Sequence, residues 1–402
     1  MIAVSMQRHA PAASPGTGHT LLHRCGWASD IEVQNRGFSS GFHCNSRGAK
    51  ILEYRLAFVG HFAERPSFSP LKRREAINNI ERSVTEDGMR SRALGNTGIQ
   101  IAPLVLGGNV FGWTVDEPHA FELLDRAAAA GLNTIDTADS YSSWVPGNVG
   151  GESETILGTW LKRSGRRDTT VIITKVGSAV GPYPKDLTAK HVLAAAEDSL
   201  RRLQTDHIDV YFSHWPDPST RHDETLAAYQ TLIKQGKVRT IGASNYSAQQ
   251  MQDALATAAK NSLPRYQVVQ PEYNLYDRSN FEGDLQNLCA AENIGVITYF
   301  SLAQGFLSGK YRTKADFGKS PRGENMGKYM NARGQNILAA LDQVAKRHSA
   351  KLVEVALAWL MVQPSVTAPI ASATSIEQVQ SLTLAASLKL SKIELDLLKN
   401  AG

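Results

Sequence analysis

Cysteine is scarce: Cys25, Cys44 and Cys289 are the three in 402 residues. An odd count gives no closed disulfide framework, and the spacing of Cys25 and Cys44 matches no zinc pattern. Free thiols in a reducing, cytoplasmic setting follow, with no metal expected. Long apolar runs are missing too. None approaches the roughly 20 residues needed to cross a bilayer, so the chain reads as soluble. Dense basic runs are absent as well. Lys72-Arg73-Arg74 is followed at once by Glu75, and the formal net charge is only +5. A nucleic-acid-binding protein is therefore not indicated. What remains is ordinary for a globular protein: 42% hydrophobic and 20% charged residues.

The first 88 residues differ from the rest. Up to Arg65 the only acids are Asp30, Glu32, Glu53 and Glu64. Stretches such as "APAASPGTGHT" and "NRGFSSGFHCNSRG" show neither helical nor strand periodicity. Such a segment buries too little apolar surface to offset its ordering entropy, so residues 1–88 are expected to be a disordered extension. Two origins compete. It is either an organellar transit segment or the product of an upstream mis-start, with translation beginning at Met89. Glu86-Asp87 codons can spell a purine-rich ribosome-binding sequence just before that methionine.

From Met89 onward the pattern changes, and residues 89–402 read as one domain. "RALGNTGIQIAP" reads as a hairpin turning at Gly95-Asn96-Thr97-Gly98. Strands are expected at Leu104–Leu106, Thr134–Asp136, Val171–Lys175, Ile208–Phe212, Thr240–Ala243, Gln267–Gln270, Gly295–Tyr299 and Thr367–Ala371. Helices are expected at Ala120–Ala130, Ser153–Arg163, Ala189–Leu203, Glu224–Gln235, Ala248–Ala259, Asn280–Glu292, Gln335–Arg347 and Leu352–Val362. Alternation of this kind argues for a parallel sheet. Eight strands close a barrel. A doubly wound open sheet is the competitor, but it calls for G-x-G-x-x-G after the first strand. The chain has "GGNVFG" there. The expected fold is therefore α/β: a (β/α)8 TIM barrel with an N-terminal β-hairpin cap.

In such a barrel the reactive groups sit at the C-terminal strand ends. Those ends read "TIDTADSY", "VIITKVG", "VYFSHWPD", "IGASNYS" and "VVQPEYN". A tyrosine with a pKa of about 10 is a poor acid at neutral pH, and a nearby ammonium lowers that value. An aspartate holds the lysine in place and charged. A histidine on the next strand orients a substrate oxygen. Asp136, Tyr141, Lys175 and His214 together suit one task, protonating a carbonyl oxygen while hydride reaches its carbon. Alone, an Asp–Lys pair reads as a structural bridge and His214 as a core histidine. Their placement on successive strand ends favours chemistry.

"LGNTGIQIAPLVLGG", "NTIDTADSY", "GGESETILGTWLK", "ITKVG", "HWPD", "GKVRTIGASNYS", "QPEYNLYDR" and "GFLSGKY" resemble, in order, the signatures of the aldo-keto reductase family. The branch they resemble most is the one related to potassium-channel β subunits. The resemblance covers the chain from about Met89 to its end. It implies Tyr141 as general acid, Lys175 as its tuner, Asp136 as partner of Lys175, and His214 as the residue positioning the carbonyl. It also implies that Ser244, Asn245 and Gln270 bond the nicotinamide carboxamide and that Tyr299 stacks on the ring. Leu302, Gln304, Gly305 and Lys310 would line the pyrophosphate region. Ser372, Ala373, Thr374 and Gln378 match cofactor-contacting positions in "PIASATSIEQVQSL", a turn into a helix whose first N–H groups meet phosphate. Two departures stand out. Ser372 replaces a glycine common in relatives, and Leu382 replaces an asparagine that contacts adenine. No base lies between Ser372 and Gln378 to grip the 2′-phosphate. The implied cofactor is NADPH, with NADH as the alternative.

Phe111, Trp113, Trp144 and Trp215 are the expected pocket walls, suiting an apolar or aromatic small-molecule carbonyl substrate. Residues 313–334, rich in glycine and charge, read as a loop over the barrel mouth. The chain ends soon after Leu398, so no long C-terminal substrate loop is expected, and a homo-oligomer is left open. Two other functions compete with a reductase. One is a redox-sensing regulatory subunit of the same fold. The other is a lyase or aldolase using Lys175 as a Schiff base.

Overall fold

The computed structural model describes residues 89–181 and 183–402. The extension expected over residues 1–88 lies outside the described residues. Within them the chain opens on a short hairpin, β1 (Arg92–Ala93) and β2 (Gln100–Ile101), paired antiparallel. Eight parallel strands follow: β3 (Val105–Gly107), β4 (Thr134–Asp136), β5 (Val171–Val176), β6 (Ile208–Ser213), β7 (Val238–Ser244), β8 (Val268–Gln270), β9 (Gly295–Thr298) and β10 (Ala368–Ala371). They close into a barrel, with β10 pairing both β9 and β3. The expected (β/α)8 architecture is therefore present.

The barrel strands are buried on both faces, which is why they read as near-continuous apolar runs. Their inward side chains include Val105, Ile173, Val210, Phe212, Val268, Ile297 and Ile370. These join Leu94, Ile99 and Ile101 of the hairpin in one cluster. The hairpin thus plugs the N-terminal end of the barrel. Gly95 is required there: its φ is +54°, and a Cβ would lie 2.5 Å from the Gly295 nitrogen.

Helices α1 (Glu117–Ala129), α2 (Glu152–Ser164), α3 (Ala189–Leu203), α4 (His222–Lys234), α5 (Ala248–Asn261), α6 (Asp284–Ala291), α7 (Ala332–His348), α8 (Leu352–Met361) and α9 (Ile376–Ser387) surround the barrel, and α10 (Lys392–Ala401) follows. Local sequence explains their starts. Asp116 accepts from the His119 N–H at 3.1 Å, with Pro118 in the first turn of α1. Ser247 and Gln250 form a capping box on α5. In α1 the buried residues are Ala120, Leu123, Leu124 and Ala127, a stripe at helical spacing that faces the barrel. No described helix is long and apolar enough to cross a membrane.

The differences from the sequence-based expectation are local. The helix expected from Asn280 starts at Asp284, because Gly283 has φ +96° and Phe281 turns into the core. Residues 313–334 are more ordered than an open loop. They form short 3-10 turns at Lys314–Lys319 and Gly323–Tyr329. Tyr329 stacks on Phe306 and donates to Asp277 Oδ2 at 3.0 Å, which fixes the segment.

Candidate active site

Strand register brings the polar residues together. Asp136 ends β4 opposite Ile173 of β5. Lys175, two residues further, projects from the same face of β5. Its ammonium, fully buried, donates to Asp136 Oδ2 at 2.8 Å, to the Tyr141 hydroxyl at 2.8 Å and to the Thr137 carbonyl at 2.7 Å. The Tyr141 hydroxyl in turn donates to Asp136 Oδ2 at 3.1 Å. Gln270, ending β8 across the barrel, donates to Asp136 Oδ1 at 2.8 Å. Both oxygens of a carboxylate with almost no exposure are thus engaged. His214 follows β6, its ring centroid 6.0 Å from that of Tyr141.

Burial sets the protonation of this group. It pushes the Tyr141 phenol well above its ordinary range, and the Asp136 carboxylate pushes the same way. The Arg322 charge pulls the other way, and the phenol keeps its proton. Burial lowers the Lys175 pKa, while Asp136 pulls it back up. His214 is held well below its ordinary value by burial, with the Lys175 and Lys185 charges adding to the effect. Its imidazole is neutral at physiological pH.

These side chains open on a cavity of about 850 Å³. It runs from Tyr141 and His214, past Ser244, Asn245, Gln270 and Tyr299, to the start of α9. Asn245, with φ +63°, accepts from the Tyr299 hydroxyl at 2.7 Å and donates to the His214 carbonyl at 2.9 Å. Leu302, Gln304, Gly305 and Lys310 line the same wall. Ala303, Gln304 and Gly305 have φ of 48°, 56° and 103°, a left-handed run that turns the backbone there. Ser372, Thr374 and Gln378, at the turn into α9, line the cavity as well. Ser372 donates to Asn109 Oδ1 at 2.6 Å. It also lies so near Gly107 that a Cβ on that glycine would be 2.5 Å from its Oγ.

One expected wall position is corrected. Phe111 is 1% exposed and packs in the core rather than on the pocket wall, because the chain turns back at Gly112 (φ +75°). Its neighbour Val110 lines the cavity. The Ala373 side chain, 1% exposed, packs in the core, while its backbone belongs to the turn between Ser372 and Thr374, which line the cavity. The tryptophans do wall the pocket. Trp113 and Trp144 meet edge to face at 5.6 Å, Trp144 lies 6.2 Å from Tyr141, and Trp215 stacks beside His214 at 6.5 Å.

Residues that sequence reasoning passed over also line the cavity: Asn109, Glu272, Arg322, Lys351, Glu377 and Ser381. Arg322 lies in the 313–334 segment, 5.3 Å from the Trp113 ring centroid, and a basic residue in a loop over the mouth was the available signal. Lys351 gave none, since it stands at a helix start remote in sequence from every strand end.

Comparison with known proteins agrees with this geometry. Residues 103–402 match the model described as "Aldo/keto reductase family". The chain is 34% identical over 309 residues to the "Uncharacterized oxidoreductase YrpG" of Bacillus subtilis (strain 168), covering 74% of this chain and 91% of that protein. It is 31% identical over 333 residues to "Protein tas" of Escherichia coli (strain K12), covering 76% and 95%. It is also 31% identical over 303 residues to the "Probable voltage-gated potassium channel subunit beta" of Oryza sativa subsp. japonica, covering 72% and 89%. With a barrel of this topology and a match over most of its length, the chain belongs to the aldo/keto reductase family.

Proposed function

We propose that the protein reduces aldehydes or ketones to alcohols, using NADPH as hydride donor and Tyr141 as general acid. One observation carries this reading. A phenol kept protonated by burial sits at the cavity wall, 2.8 Å from a buried ammonium and beside a neutral imidazole.

The residues present suit a nicotinamide dinucleotide. The cavity carries amide and hydroxyl groups beside Tyr141 and His214 and also takes in the start of α9. Gln270 spends its amide N–H on Asp136, which leaves its carbonyl oxygen for a carboxamide. Tyr299 offers a half-buried aromatic face next to Asn245. The first N–H groups of α9 suit phosphate, next to the Ser372 and Thr374 hydroxyls.

A bound reduced nicotinamide supplies hydride to the carbonyl carbon. The chain's own residues do the rest. His214, neutral, hydrogen-bonds the carbonyl oxygen and orients it. The Tyr141 hydroxyl shifts its proton from Asp136 to that oxygen as charge develops there. The phenolate left behind is stabilised by the Lys175 ammonium, which Asp136 holds in place. Solvent protonates Tyr141 to complete the cycle. The tryptophan walls keep water away from the transfer and favour apolar or aromatic substrates.

NADPH and NADH oxidation by the full chain against a panel of carbonyl compounds tests the reading. Rapid multiple turnover with NADPH is expected. A single slow turnover would favour the regulatory-subunit reading, which the likeness to a named channel subunit keeps in view.

A further inference from the structure

The turn before α9, Ser372 to Gln378, carries no base; its one charged residue is Glu377. A cofactor with a 2′-phosphate needs a cation near that end of the cavity. The catalytic end is fixed by Tyr141 and His214, so the adenosine end of an extended dinucleotide lies at the opposite end. The walls there come from two helices. Thr374, Glu377, Gln378, Ser381 and Leu382 come from the turn and from α9, while Lys351 and Val353 come from the start of α8.

Lys351 directly precedes α8. Its Nζ donates to Ser381 Oγ at 2.9 Å, its one hydrogen-bond partner among the described residues, and its charge also acts on the Glu377 carboxylate, helping to lower that pKa. A hydroxyl positions the ammonium without neutralising it, as a carboxylate would. Ser381 is itself 3% exposed, which makes it a fixed anchor rather than a drifting surface group. A lysine ammonium is a compact point charge suited to a phosphate. Val353 and Leu382 supply apolar surface beside it for a purine.

Glu377 opposes this. A carboxylate near the ribose favours a free 2′-hydroxyl and therefore NAD(H). The two helices thus present opposite preferences at one ribose.

We propose that Lys351, held by Ser381, recognises the 2′-phosphate of NADP(H), so that α8 supplies the cation the α9 turn lacks. This rests on the reading above that the chain uses a nicotinamide dinucleotide.

Equilibrium binding to the full chain, followed by tryptophan fluorescence, separates the two. The probes are NADP+, NAD+, 2′,5′-ADP and 5′-AMP, with wild type, Lys351→Met and Lys351→Arg. Lys351→Met should weaken NADP+ and 2′,5′-ADP by roughly 10- to 100-fold, the range for a hydrogen bond to a charged group. NAD+ and 5′-AMP should stay within about 2-fold, and Lys351→Arg should keep most of the NADP+ affinity, since Arg also binds phosphate. Equal weakening of NADP+ and NAD+, or no weakening of either, overturns the assignment. Tighter wild-type binding of NAD+ than of NADP+ overturns it in favour of Glu377. If wild type binds neither dinucleotide, the functional reading fails with it.

Discussion

Gln270 and Asp136 face each other across the barrel mouth, with Gln270 Nε2 2.8 Å from Asp136 Oδ1. Lys175 and Tyr141 share the other oxygen. Gln270 therefore does more than line the cofactor cavity: it braces the carboxylate that places the acid and its lysine. Gln270→Leu removes this donor from a buried acceptor, a cost of about 1–3 kcal/mol. Both the thermal midpoint and kcat should fall, kcat by roughly 10-fold or more if that cost is felt in the transition state. A variant with unchanged kcat and midpoint would show that Asp136 holds its position alone.

His214 should contribute no inflection to the pH–rate profile between pH 6 and 8. Burial holds its imidazole neutral, helped by the Lys175 and Lys185 charges. In the unfolded chain the same residue binds a proton below its ordinary pKa of about 6.5. Stability therefore falls as pH drops below that value, because the unfolded state then binds more protons. His214→Gln should remove this part of the acid loss. Denaturation midpoints of both proteins at pH 5 and pH 7 give the comparison, and an equal acid loss in the variant would contradict the assignment.

Asp139 behaves in the opposite sense. Its Oδ1 is buried without a hydrogen-bond partner among the described residues. Burial, reinforced by the Glu154 charge, raises its carboxyl pKa to about 8. Between its unfolded pKa of about 3.9 and that value the folded state keeps a proton that the unfolded chain releases. Stability accordingly declines with rising pH across this window, by up to about 1.4 kcal/mol per unit. Asp139→Asn should flatten the decline and leave the variant more stable than wild type at pH 8. A parallel pH dependence in the two proteins would rule this out.

Two of the pocket tryptophans lie under cations. Arg322 lies over Trp113 at 5.3 Å, and Lys185 lies over Trp215 at 4.3 Å. Burial disfavours the charged Arg322 guanidinium, so a substrate anion has something to gain there. Aromatic aldehydes bearing a carboxylate should be reduced with higher kcat/KM than neutral analogues, and that advantage should shrink as salt is raised. Arg322→Met should lower kcat/KM for 4-carboxybenzaldehyde about 10-fold and for 4-methylbenzaldehyde no more than about 2-fold. Equal losses for the two aldehydes would count against a substrate contact.

The barrel and the quartet were legible because periodicity and strand-end chemistry are properties of regular elements. Asp136, Lys175 and Gln270 sit on strands, where register decides which face a side chain takes. Phe111 lies in an irregular turn that bends back at the left-handed Gly112 after it, and its side chain went into the core instead of the cavity. The last helix was missed although its Ser391–Glu394 capping box was available as a signal. Lys351 was invisible for a different reason. Its role depends on α8 lying beside α9, a packing relation that no local pattern encodes.

The central claim is that Tyr141 delivers the proton. Steady-state NADPH oxidation by wild type and Tyr141→Phe with one good aldehyde tests it directly, alongside the NADP+ dissociation constant of each. Removing a general acid should lower kcat by roughly 10²- to 10⁴-fold, with cofactor affinity within about 3-fold of wild type, a difference under about 1 kcal/mol. A phenylalanine variant that reduces the aldehyde at the wild-type rate would contradict the account.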